Sequence, residues 1–154
     1  MSLNASLHLR LAAKIILSMT WSQKEINYEG FPLLLRKPDY LNIWEFKDKF
    51  TKLSAVEHLL DKVTANGLPE KQYNSTLSEF DHYMCTLFSD AQIGIIFLVE
   101  TYGSKRNYYY FTLPDFSITP VLEKAKQKFG VNLEAWEQDD TGWGFLNQYP
   151  EKLY

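Results

Sequence analysis

The chain has 154 residues, enough for one domain whose core needs no covalent staples. At 45% hydrophobic and 23% charged residues it has the composition of an ordinary folded domain, which excludes a low-complexity or disordered chain. The net charge of −3 is unevenly spread: residues 1–77 carry ten Lys/Arg and eight Asp/Glu, residues 78–154 six and eleven. An acidic second half is a poor phosphate-binding surface, so nucleic acid is not an expected partner.

Aromatics make up 16% of the chain, with ten Tyr and ten Phe, so rings supply much of the packing area. Cys85 is the single cysteine, which leaves no internal disulfide and no Cys-rich zinc site. It falls in a helical pattern among Met84, Leu87 and Phe88, where a free thiol packs as a small apolar group.

Residues 1–18 read as an N-terminal helical extension. The apolar run 3–17 is interrupted by Arg10 and Lys14 and is too short and too charged to span a bilayer. It also lacks the clean apolar stretch and cleavage site of a signal peptide. The expectation is a cytoplasmic protein with no membrane segment and a single domain over 19–154.

Residues 21–28 and 31–37 are strand candidates around a Glu29-Gly30 turn, and Pro38 ends the second. Residues 39–52 are mixed, a loop with a short helix around 43–50. The segment 55–64 has two readings. Val56, Leu59, Leu60 and Val63 form a helical stripe, whereas Val56, His58, Leu60 and Lys62 would line one face of a strand. Asn66-Gly67-Leu68-Pro69 forces a turn.

Asn74 and Ser75 are candidate caps of a helix whose apolar positions Leu77, Phe80, Met84, Leu87 and Phe88 recur every three or four residues. The apolar run 93–99 has the pattern of a strand covered on both faces. Tyr102-Gly103-Ser104 turns the chain into KRNYYYFT at 105–112, which predicts a 92–101/105–112 hairpin. Thr119 is the expected cap of the next helix, with Pro120 at its first position. Leu122, Ala125 and Phe129 form its buried face, and Gly130 stops it. The last strand is VNLEAWEQ, 131–138, with one wet face.

With 55–64 as a strand the order from there is β-α-β-β-α-β, the ferredoxin-like split βαβ arrangement. That consistency across elements decides for the strand. The fold class expected is α+β: a ferredoxin-like βαββαβ core over about 55–138 with an added N-terminal β-hairpin and N-terminal helix. Such a core places both helices on one face of the sheet. The 93–99 run requires a cover on the other, from the N-terminal helix, the C-terminal segment or a second subunit.

Trp21, the Gly30-Phe31-Pro32-Leu33 run with Arg36, Asn66-Gly67-Leu68-Pro69, the helix near Phe80, KRNYYY at 105–110 and the closing Asp140, Trp143 and Tyr149-Pro150 carry a resemblance. The chain resembles bacterial family 695 of the domains of unknown function over residues 19–151. That family is similar in turn to the ribonuclease E regulator B proteins, small α/β inhibitors. No established active site comes with the resemblance, so it implies no catalytic residue.

No site motif assigns chemistry either. His8, His58 and His82 have no metal-ligand spacing, and no HExxH, GxGxxG, Walker or GxSxG pattern is present. No cofactor and no metal are expected. Asp139 and Asp140 are hard oxygen ligands for a divalent cation, but the plainer reading is a strand end with an Asp capping a short helix at 143–148. KRNYYYF falls on the third core strand, where RNA-recognition domains place stacking aromatics. The glycines of that motif are missing, and the first core strand offers no aromatic. Tyr108 and Tyr110 would share one face, Tyr109 and Phe111 the other.

The function expected is a non-enzymatic, protein-binding regulator. Its candidate interaction surface is Trp136, Asp139, Asp140, Trp143 and Tyr149, aromatic and acidic residues near the C-terminal strand that suit a basic partner. The other reading of these rings is that they finish the core. The alternatives are a metal-dependent hydrolase using Asp139 and Asp140, an immunity-type antidote to a basic toxin, and an RNA-binding ferredoxin-like module. A homodimer through the open sheet face is a further possibility for the partner.

Overall fold

A computed structural model describes residues 19–154, so the expected helical extension over 1–18 lies outside the described residues. The chain is α+β, and its described residues form a six-stranded antiparallel sheet and three α-helices. The first two strands, β1 (Trp21–Tyr28) and β2 (Phe31–Pro38), pair as the expected hairpin. Glu29 and Gly30 turn it with φ of 51° and 84°, the two left-handed residues that match a two-residue loop to strand twist. The mixed region holds a short 3-10 helix, Ile43–Phe46.

The ambiguous segment is a strand, β3, but it runs Lys52–Leu59 rather than 55–64. It is central, paired with β5 (Lys105–Thr112) on one side and β6 (Leu133–Asp139) on the other. Leu53 and Ala55 are buried on one face and Val56 and His58 on the other. A segment apolar on both sides mimics a helical stripe, which is why periodicity alone left it open. It ends early because the chain turns back: Thr64 N–H donates to the Leu68 carbonyl and Val63 bridges Pro69. Gly67, at φ 80°, sits so close to the next hairpin that a Cβ there would lie 3.1 Å from the Ser104 nitrogen.

The expected single helix is two: α1 (Lys71–Thr76) and α2 (Ser78–Cys85), broken at Leu77. Asn74 and Ser75 lie inside α1 and cap nothing. The Asn74 amide oxygen accepts from Arg106, and the Ser75 hydroxyl donates to the Gln72 carbonyl. Of the expected apolar positions only Phe80 and Met84 fall inside α2; Leu77 is buried at the break, and beyond the helix end Phe88 is buried and Leu87 half-buried.

β4 (Gly94–Tyr102) and β5 form the predicted hairpin, turned by Gly103 and Ser104 at φ 57° and 69°. In α3 (Thr119–Phe129) the capping role passes from Thr119 to Glu137. Ile118 stands at the cap position, and its N–H donates to the Glu137 carboxyl at 3.0 Å. Gly130 ends the helix in the left-handed conformation at φ 62°.

The strand order is β1-β2-β4-β5-β3-β6, every neighbouring pair antiparallel. Helices α2 and α3 cover one face, packing Phe80, Met84, Leu122 and Ala125 on Val56, Tyr108, Tyr110 and Leu133. The C-terminal segment covers the other. Trp143, Leu146 and Leu153, with Ile43 and Phe50 from the β2–β3 connection, lie over Leu35, Leu53, Phe97 and Phe111. The cover that the 93–99 run required therefore comes, among the described residues, from the tail. No helix among these residues is long and apolar enough to cross a membrane.

Trp143 is the centre of this second layer. Its ring is parallel to Phe111 within 3° at a centroid distance of 4.0 Å, and Phe111 stacks on Phe97 at 4.0 Å. Its indole N–H donates to the Phe50 carbonyl at 2.7 Å. Trp143→Ala should destabilise the fold by about 3–5 kcal/mol in urea unfolding, the usual cost of emptying a buried indole site. A loss below about 1 kcal/mol, that of a surface substitution, would contradict this packing.

Candidate functional site

The structure separates the five expected site residues. Trp143 is 1% exposed and belongs to the core, so it offers no surface to a partner. This corrects its assignment to the interaction surface: a ring stacked on Phe111 and hydrogen-bonded through its only donor has no face left over. Asp140 is a structural cap. Its carboxyl accepts the Phe145 N–H at 3.2 Å, its carbonyl accepts the Trp143 N–H, and together they start the 3-10 helix Gly144–Gln148. Asp139 is exposed at the end of β6. Trp136 and Tyr149 come together around Phe145, at 6.5 Å and 5.4 Å between ring centroids.

A pocket of about 260 Å³ lies beside this aromatic group, on the tail-covered face of the sheet. Tyr28, Tyr102, Tyr109, Phe145 and Tyr149 line it, and Glu100 supplies its carboxyl. The Tyr149 hydroxyl donates to Glu100 Oε2, and Asn107 Nδ2 donates to Oε1 at 3.1 Å. Burial first, and then the neighbouring Glu100 charge, push the Tyr149 phenol far up, so it stays a hydrogen-bond donor. Tyr109 is raised for the same two reasons. Asn107 is buried, and its amide oxygen has no partner among the described residues.

The strand register extends this acidity sideways. Glu100 is opposite Asn107, Asn107 opposite Glu57, and Glu57 opposite Glu134. Three glutamates thus stand in one transverse row across four strands. Like charges directly opposite one another weaken a sheet. Lys105, 3.6 Å from the Glu57 carboxyl, is the one cation paired with this row among the described residues.

The helix-covered face carries a different constellation, in which Asp81 is hydrogen-bonded to residues 45 and 27 positions away. Arg36 donates to both Asp81 oxygens at 2.6 and 2.8 Å, and the Tyr108 hydroxyl donates to Asp81 Oδ1 at 2.8 Å. Burial alone would raise the Asp81 carboxyl, but the Arg36 hydrogen bonds and charge, aided by Tyr108 and Arg106, hold it below its ordinary value. The adjoining Cys85 thiol is pushed up to about 12 by burial and then by Asp81, so it is no nucleophile at neutral pH. The tyrosines of KRNYYYF are divided between the two faces as expected, and all are buried. Nothing in the sequence pointed to Arg36 with Asp81, because no local spacing marks a contact between a hairpin and a helix.

Among the described residues no three His, Cys, Asp or Glu side chains gather as metal ligands. No family model matches the chain, and no curated protein or solved structure matches it.

His58 gives this core a pH dependence. It is 1% exposed, edge-on to Phe80, and its Nδ1 has no partner among the described residues. Burial, and then the Arg106 charge, lower it from 6.5 to about 4. The unfolded chain therefore takes up this proton at a higher pH than the native protein does. As pH falls from about 6.5 to about 4, stability should drop by about 3 kcal/mol from this group. His58→Gln should flatten the stability–pH curve across that window in urea titrations. An equally steep curve in the variant would assign the slope to the carboxylates instead.

Proposed function

We propose that the protein is a non-enzymatic regulator that acts in the cytoplasm by binding another protein, and that it grips a basic side chain of that partner. The observation that carries this reading is the Glu100 carboxyl set in a pocket walled by aromatic rings. Aromatic faces attract a cation through the ring quadrupole, and a partly desolvated carboxylate beside them adds a charged hydrogen bond. The glutamate row beyond it gives the approaching surface a negative field, which steers a basic patch into register. Trp136 and Tyr149 then serve at the rim as anchors, the role in which Trp and Tyr are enriched. Asp139 adds charge at the strand end.

We also propose the finer architecture, a ferredoxin-like split βαβ core. The order β4-β5-β3-β6, with α1 and α2 between β3 and β4 and α3 between β5 and β6, supports it. The relation to family 695 and, more distantly, to the ribonuclease E regulator B proteins rests on the residues quoted for it. It agrees with inhibition by binding.

The test is capture of the partner from native lysate on the immobilised protein, followed by affinity measurements on the purified pair. Glu100→Gln and Tyr149→Phe should each weaken binding about tenfold or more, and raised salt should weaken the wild type. Asp140→Ala should act through stability alone. A captured partner that binds Glu100→Gln and wild type equally would remove the pocket from the interface.

A further inference from the structure

A second cavity, of about 330 Å³, lies on the other face of the sheet, where the β1–β2 hairpin extends past α1 and α2. This cavity is independent of the protein-binding pocket. Arg36, Asp81 and Arg106 are the charged residues on its wall. Arg36 and Asp81 neutralise each other through their paired hydrogen bonds. Arg106 has no such partner. It is 9% exposed, and among the described residues it makes no ion pair.

The Arg106 guanidinium spends its Nε on the Thr101 hydroxyl at 3.0 Å and one Nη2 hydrogen on the Asn74 amide oxygen at 2.9 Å. Both acceptors are neutral. A guanidinium has five N–H donors in a rigid planar fork, so the Nη1 pair has no acceptor among the described residues. A cation this buried is costly unless a counter-charge and hydrogen bonds meet it. Among the described residues no carboxylate is ion-paired with Arg106, which lies on the cavity wall.

We infer that this cavity is a binding site for a small monocarboxylate, held by Arg106. The single uncompensated positive charge matches one negative charge, whereas a phosphate dianion would leave the buried wall with an excess. The planar fork fits a carboxylate with two parallel hydrogen bonds. Leu34, Leu77 and Val99 offer an apolar wall to the body of the ligand, and Gln23 and Ser78 offer polar groups. The volume is at the small end of ligand pockets, which limits the body to a few carbons.

The experiment is an NMR titration of the intact protein with propionate, pyruvate and 3-hydroxybutyrate, and with inorganic phosphate as the contrast. The Arg106 side-chain N–H signals and the Thr101 and Ser78 amides report the site. At least one carboxylate should shift them saturably, and phosphate should bind about tenfold more weakly or worse. Ser78 is exposed at the start of α2, where an acid is well placed on a helix. Ser78→Glu should therefore fold normally, occupy Arg106 itself and weaken carboxylate binding about tenfold or more. If no carboxylate gives a saturable shift up to about 10 mM, or if Ser78→Glu binds unchanged, the site is refuted. Phosphate binding as tight as the best carboxylate would overturn the monocarboxylate assignment.

Discussion

The stack of Trp143 on Phe111 on Phe97 is the constraint on which the rest of the architecture depends. β4 and β5 are apolar on both faces, so the sheet can stand in water only between two covering layers. The helices supply one. The other is a segment with little regular structure, and a single large ring anchors it by area and by one buried hydrogen bond. Burying such a ring contributes about 4–6 kcal/mol of gross hydrophobic free energy. Tyr149 and Tyr154 continue the attachment, donating to the Glu100 carboxyl and the Phe97 carbonyl.

Both cavities follow from the same geometry. The β1–β2 hairpin extends the sheet beyond the helices on one face and beyond the densest part of the tail on the other. Where a sheet outruns its cover, side chains on the exposed strip have room around them. On the tail side that strip presents tyrosines and Glu100, and on the helix side it presents Arg36 and Arg106. The tail that completes the core also shapes the acidic pocket, so stability and the proposed recognition share residues.

What could be read in advance was whatever is encoded locally. The Glu29-Gly30 and Gly103-Ser104 turns specify their hairpins through two left-handed positions each, and the structure has both. The α2 stripe and the Gly130 stop were legible for the same reason. Caps were not: Asn74, Ser75 and Thr119 have the right chemistry, but distant partners (Arg106 for Asn74, Glu137 in place of Thr119) decided their roles. For Trp143 the sequence allows both a surface anchor and a core ring, since it lies among aromatic and acidic residues near the C-terminal strand. Its burial depends on Phe50, Phe97 and Phe111, which sequence distance hides. The Glu134–Glu57–Glu100 row and the Arg36–Asp81 pair exist only through strand register and helix placement, so no motif could have shown them.

The most direct test of this account is hydrogen exchange at the Trp143 indole N–H under native conditions. If the tail is an integral layer of the core, that proton should exchange only through global unfolding. Its protection should then equal that of the β4 and β5 amides and fall with them as denaturant is added. An indole proton that exchanges by a much smaller opening, while the strand amides stay protected, would show the tail to be a detachable flap and contradict the account.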